Sequence, residues 1–124
     1  MNAPAILSLT LGVVLIGALC ALSRNQVADL GPNSVIGLKT KATTASPEGW
    51  RIGHEAASSL LRAALITATV VVAVTAGTSV VSVVSGSGTA AGLAVTVPAV
   101  GLGVQAILMV LATVRADKAA RTAR

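Results

Sequence analysis

The chain has 124 residues, room for one domain, and only 10% of them are charged while 54% are hydrophobic. An ordinary soluble domain carries about a quarter of its residues as Asp, Glu, Lys or Arg, so lipid is the expected solvent for much of this surface. The net charge of +5 sits in two clusters rather than along a stacking surface, which argues against nucleic acid as its partner.

Three apolar stretches follow in chain order, Pro4–Leu22, Ala63–Val84 and Ala90–Val114, each free of charged side chains. A helix needs about 20 residues to cross the hydrocarbon core at ~1.5 Å per residue, and each stretch is long enough. The β-branched run Val70-Val71-Val72-Ala73-Val74 reads as strand in water. In lipid an open strand leaves backbone groups unpaired, so helix is the better assignment. The expected fold is therefore all-α and integral to a membrane, with spans at about 4–23, 60–84 and 90–114, a loop at 24–56 and a basic tail at 115–124.

A cleaved signal peptide is the rival reading of the first stretch, but Met1-Asn2-Ala3-Pro4 lacks the basic side chain such a segment carries. Gly17-Ala18-Leu19-Cys20 faintly resembles a lipoprotein cleavage site, with Leu19 bulky where a small residue is expected. An uncleaved span is the better reading. Arg24, Lys39, Lys41, Arg51 and Arg62 lie between the first two spans, and Arg115, Lys118, Arg121 and Arg124 follow the third; these are all the Lys and Arg. The positive-inside rule places loop and tail together in the cytoplasm, leaving the N-terminus outside. An odd number of spans agrees with that.

The loop carries most of the information. Gly31-Pro32-Asn33 is a turn signal. Ser46-Pro47-Glu48 reads as a helix start, with Ser46 as N-cap, Pro47 at the first helical position and Glu48 near the positive end of the dipole. That helix should run through Trp50 and His54 into the second span. Arg51, Glu55, Ser58 and Arg62 then share one face, and Trp50 suits the headgroup level. Two readings are open: an interfacial lead-in helix whose arginines reach anionic headgroups, or a polar recognition surface formed by Lys39, Thr40, Thr43, Trp50, Arg51 and His54.

The string Asn33-x-x-Ile36-Gly37-x-Lys39-Thr40, followed by Thr43, Ser46, Glu48, Trp50 and His54, resembles the signature of the SdpI/YhfL family of bacterial membrane proteins. In that family an Asn, an Ile-Gly-x-Arg-Thr run and a Trp-x-x-x-His pair precede a transmembrane helix. The similarity covers about a quarter of the chain and agrees with the order of the spans. Lys39 stands where the family usually has Arg, so a bidentate contact is lost while a phosphate contact survives. The founding members also carry additional spans. The resemblance implies a bacterial plasma-membrane protein giving immunity to a membrane-active peptide toxin, with signalling through a sequestered repressor. Its motif residues, Asn33, Gly37, Lys39, Thr40, Thr43, Glu48, Trp50, Arg51 and His54, are then expected to contact a partner or lipid headgroups. An accessory subunit of a larger membrane complex is the alternative.

Within the spans, Thr75, Ser79 and Ser82 line one side of the second helix and suit close helix packing with hydrogen bonds across the contact. Pro98 should kink the third helix, and Gln105 should face protein. Gly101-Leu102-Gly103-Val104-Gln105-Ala106 matches part of a dinucleotide-binding pattern, but no βαβ unit surrounds it. The lone Cys20 and lone His54 form neither a disulfide nor a metal cluster, and no Asp, Glu, Lys, Arg or His lies inside the three apolar stretches. No enzyme chemistry and no cofactor are expected.

Overall fold

The computed structural model describes residues 1–25, 32 and 37–122. Asn33 and Ile36 of the motif lie outside them. The fold is all-helical: α1 spans Ala3–Asn25, α2 spans Pro47–Ser85 and α3 spans Gly88–Arg121. All three are long and apolar enough to cross a membrane.

The helix ends follow from local chemistry. Asn2 Oδ1 accepts from the Ala5 N–H at 3.2 Å at the start of α1. Ser46, in extended backbone, caps α2 by accepting from the Gly49 N–H at 3.0 Å, with Pro47 next in the chain. Gly86 ends α2 at φ 70°, where a side chain is strained, and its N–H returns to the Ser82 carbonyl at 2.9 Å. Ser87 then caps α3. This tight turn leaves α2 and α3 antiparallel neighbours, and they share the largest contact in the molecule. Gly12 approaches Leu102, and Cys20 approaches Met109, so α1 runs parallel to α3 and antiparallel to α2.

At 39 residues α2 reaches ~58 Å, well beyond the ~30 Å of a hydrocarbon core. Its first turns, Pro47 to about Ser59, stand beside the last turns of α3. The segment read as a basic tail is helical as far as Arg121. Ala116, Ala119 and Ala120 favour helix, Arg121 Nε bonds Asp117 Oδ2 at 2.8 Å one turn away, and Ala116 and Ala120 are buried. Pro98 is buried inside the continuous α3.

The core is small-sided. Cys20, Ala57, Leu61, Ala64, Ala112 and Ala116 form one cluster, and Val13, Ala68 and Val71 another. Large side chains such as Leu7, Val80, Val84, Ile107 and Val110 point outward. Lipid is as apolar as Leu, so burying Leu against protein gains little in a membrane; close approach of backbones does. Gly17 and Gly101 show how close. A Cβ on Gly17 would stand 2.7 Å from Ala68 Cβ, and one on Gly101 would stand 2.5 Å from Val71 Cγ2.

Thr75 and Ser82 are buried and Ser79 is partly so, but the hydroxyls do not tie the helices together. Thr67, Thr69, Thr78 and Ser85 donate to carbonyls of their own helix, and Thr75 Oγ1 is buried with no hydrogen-bond partner among the described residues. A short hydroxyl reaches the carbonyl one turn back more easily than a neighbouring helix. The longer Gln105 crosses instead. Fully buried, it donates from Nε2 to the Val13 carbonyl of α1 at 3.2 Å and the Ala64 carbonyl of α2 at 3.3 Å.

Candidate functional site

The motif residues converge where the loop lies over the first turns of α2. Gly37 has φ 111°, a conformation that favours glycine. The next residue, Leu38, is buried, and its N–H donates to His54 Nε2 at 2.8 Å. An amide can only donate, so Nε2 is the acceptor and His54 is the neutral Nδ1–H tautomer. Nδ1–H then donates to the Trp50 carbonyl at 2.7 Å, one turn back along α2. Trp50 stacks obliquely on the imidazole, with ring centroids 4.3 Å apart.

A second knot joins Thr40 and Thr43. Thr43 Oγ1 accepts from the Thr40 N–H at 2.8 Å, while Thr40 Oγ1 accepts from the Thr43 N–H at 3.2 Å. This is the reciprocal pattern of a capping box, closed here by a threonine where Glu or Gln is usual. The Thr43 hydroxyl proton goes to the Leu38 carbonyl at 2.9 Å. Thr44 Oγ1 donates to the Thr40 carbonyl at 2.7 Å. The loop is therefore tied to itself, and through His54 to α2.

Two glycines make room for it. A Cβ on Gly49 would stand 2.9 Å from the Ala42 carbonyl oxygen. One on Gly53 would stand 2.9 Å from both the Ala116 carbonyl oxygen and Thr43 Cγ2. Gly49 and Gly53, one turn apart, form a notch filled by the loop on one side and α3 on the other. Neither glycine was read from the sequence as part of the site; a Gly-x-x-x-Gly spacing just before a span was the available signal. Asp117 was also missed. Hydrogen bonding to the Thr40 hydroxyl, together with Arg121 and the Ala42 amide, holds its carboxyl below the usual Asp range despite partial desolvation.

The charges of the motif stay outside. Lys39 and Arg51 are exposed; Arg51 reaches Glu55 at 3.1 Å and Glu48 at 4.0 Å. Arg115 Nη1 donates to Ser59 Oγ at 3.2 Å, joining α3 to α2 beyond the notch. Burial pushes the His54 imidazole below its ordinary value; the hydrogen bond to Trp50 opposes this and the Lys39 charge adds to it.

The expected recognition surface thus divides in two. Thr43 and Trp50 are 0% exposed and His54 is 2% exposed, so they face protein and cannot touch a partner in this conformation. Lys39, Thr40, Glu48 and Arg51 remain accessible. The reason is hydrogen-bond satisfaction: a loop crossing helix ends must find partners for its amides, and Thr43 and His54 supply them.

Among the described residues these features define a bundle of three helices of membrane-spanning length, whose loop is bolted to the protruding ends of two of them. No protein-family model, curated protein or solved structure matches the chain.

Proposed function

We propose that the protein is a small, non-enzymatic SdpI-like protein of the bacterial plasma membrane that binds a membrane-active peptide or another membrane protein. On this reading the N-terminus is outside, and the bolted loop and the end of α3 lie in the cytoplasm, where the Lys and Arg clusters belong. The observation that carries binding is the contrast among helix glycines. Gly12, Gly17, Gly49, Gly53 and Gly101 each stand against a neighbouring atom, whereas Gly77, Gly92 and Gly103 meet nothing within 4 Å among the described residues. A helical glycine costs ~1 kcal/mol relative to alanine. Kept on an open helix face, it suits a backbone arriving from another molecule. The motif supports the family reading; the immunity role is what the resemblance implies.

Deleting the gene should sensitise cells to a secreted membrane-active peptide, and Gly103→Leu should reproduce the defect without loss of folding. Normal resistance in the deleted strain would end the immunity reading. The second reading, an accessory subunit, is favoured by open glycines on two different helices, Gly77 on α2 and Gly92 and Gly103 on α3. It requires a fixed set of larger membrane proteins to co-purify in mild detergent. Recovery with a small peptide or a repressor would favour the first.

A further inference from the structure

We infer that the protein carries a binding site for an anionic phospholipid, formed where the loop meets the last turns of α3. An open groove of ≈ 560 Å³ is lined by Thr40, Lys41, Thr113, Val114, Asp117, Lys118 and Arg121. A second groove of ≈ 260 Å³ is lined by Leu60, Leu111, Val114, Arg115 and Lys118. Val114 and Lys118 belong to both, so the two grooves flank one ridge of α3.

The ridge changes chemistry along its length. Leu111 and Val114 are exposed apolar residues at the end of the third apolar stretch. One turn further on, Lys41, Arg115, Lys118 and Arg121 outnumber the one carboxylate, Asp117, which is paired with Arg121. This order, acyl-compatible wall below and cations above, matches a phospholipid entering from the bilayer. Arg121 is half-satisfied by Asp117 at 2.8 Å, but Lys41 and Lys118 make no ion pair among the described residues. The exposed Lys41 and Lys118 ammoniums held over the groove present donors to a phosphodiester, whereas the Thr113 hydroxyl is already given to the Met109 carbonyl and the Thr40 hydroxyl is engaged by Thr43 and Asp117. Lys41 and Lys118 are far apart in sequence; only the docking of the loop onto α3 puts them on one groove. Cations on both sides of Val114 suit a lipid with two phosphates better than one with a single phosphate.

This site rests on the membrane-spanning reading of the helices and not on the identity of any protein partner. The test uses the full chain in bilayer discs of phosphatidylcholine alone, or with phosphatidylglycerol or diphosphatidylglycerol at equal phosphate. Retained lipid is counted by native mass spectrometry. Incorporation into phosphatidylcholine discs checks the membrane reading separately. Diphosphatidylglycerol should be retained most, phosphatidylglycerol next and phosphatidylcholine least. Lys41→Gln and Lys118→Gln should each weaken retention about fivefold. Arg62→Gln, the same single charge change away from the grooves, should leave it unaltered. Equal retention of all three lipids overturns the site. So does an equal loss in the Arg62→Gln control, which would mean diffuse charge. Displacement by soluble glycerol phosphate at the same phosphate concentration would make the ligand a small anion and overturn the lipid assignment.

Discussion

The loop end and the middle of the bundle are held together by different means. At the loop end, buried amides and hydroxyls are matched one to one: Leu38 with His54, Thr40 with Thr43, Thr43 with Leu38. In the middle, cohesion comes from alanines and glycines in contact, with Gln105 hydrogen-bonding across to both neighbouring helices. The difference reflects the backbone. A helix inside the membrane satisfies its own amides and needs only a close neighbour, whereas an irregular loop must borrow partners from side chains. Specific residues therefore matter most at the loop end, and shape matters most in the middle.

The largest test sets two glycines against each other. Gly53→Leu drives a side chain into the Ala116 carbonyl and Thr43, and should cost about 3 kcal/mol or prevent folding. Gly103→Leu meets open space and should leave thermal unfolding in detergent unchanged or slightly raised. Equal damage from both would mean that the notch is no tighter than the open face.

His54→Phe keeps an aromatic ring but leaves the Leu38 amide without its acceptor, costing about 2 kcal/mol. Faster hydrogen exchange at Leu38 should accompany the loss. The same residue sets a pH dependence. Its folded pKa lies below the ordinary 6.5, so its contribution is complete above pH 6.5 and disappears as pH falls through the folded value. Stability should drop on acidification in the native protein and stay flat over that range in His54→Phe. Asp117, also lowered, acts in a more acidic window, below its ordinary 3.8, and does not obscure the effect.

In the middle, Gln105→Leu removes two donated bonds, but the accepting carbonyls belong to helices that already satisfy them. Bonds of this kind average ~0.6 kcal/mol in membrane proteins, so the loss should be about 1 kcal/mol by unfolding in detergent. Arg51→Ala, which breaks exposed pairs with Glu48 and Glu55, should fall within about 0.5 kcal/mol. If it proved costlier than His54→Phe, the loop end would owe its cohesion to charge rather than to buried hydrogen bonds.

Much of the fold was legible before any coordinates. Uninterrupted apolar runs announce the three helices because lipid permits no charge and no unpaired backbone there, and Ser46-Pro47 marks the start of α2 by its capping chemistry. The candidate site was legible as a list of residues and not as an arrangement. Trp50 and His54, polar or amphipathic beside a span, read equally well as outward-facing anchors. Their burial depends on a loop whose path has no periodic signature. Gly49, Gly53, Ala112 and Ala116 escaped notice because small residues are common throughout this chain, and which of them meet depends on the register of α2 against α3.

Composition and the spacing of apolar and basic residues were enough by themselves to establish helices of membrane-spanning length, because solvent preference acts on each segment independently. Only tertiary structure could decide that the Thr43 and His54 side chains turn inward, that Asp117 meets Thr40, and that Lys41 shares a groove with Lys118. Those juxtapositions join residues remote in sequence through short-range forces, hydrogen bonding and steric contact, which act only once the helices have packed.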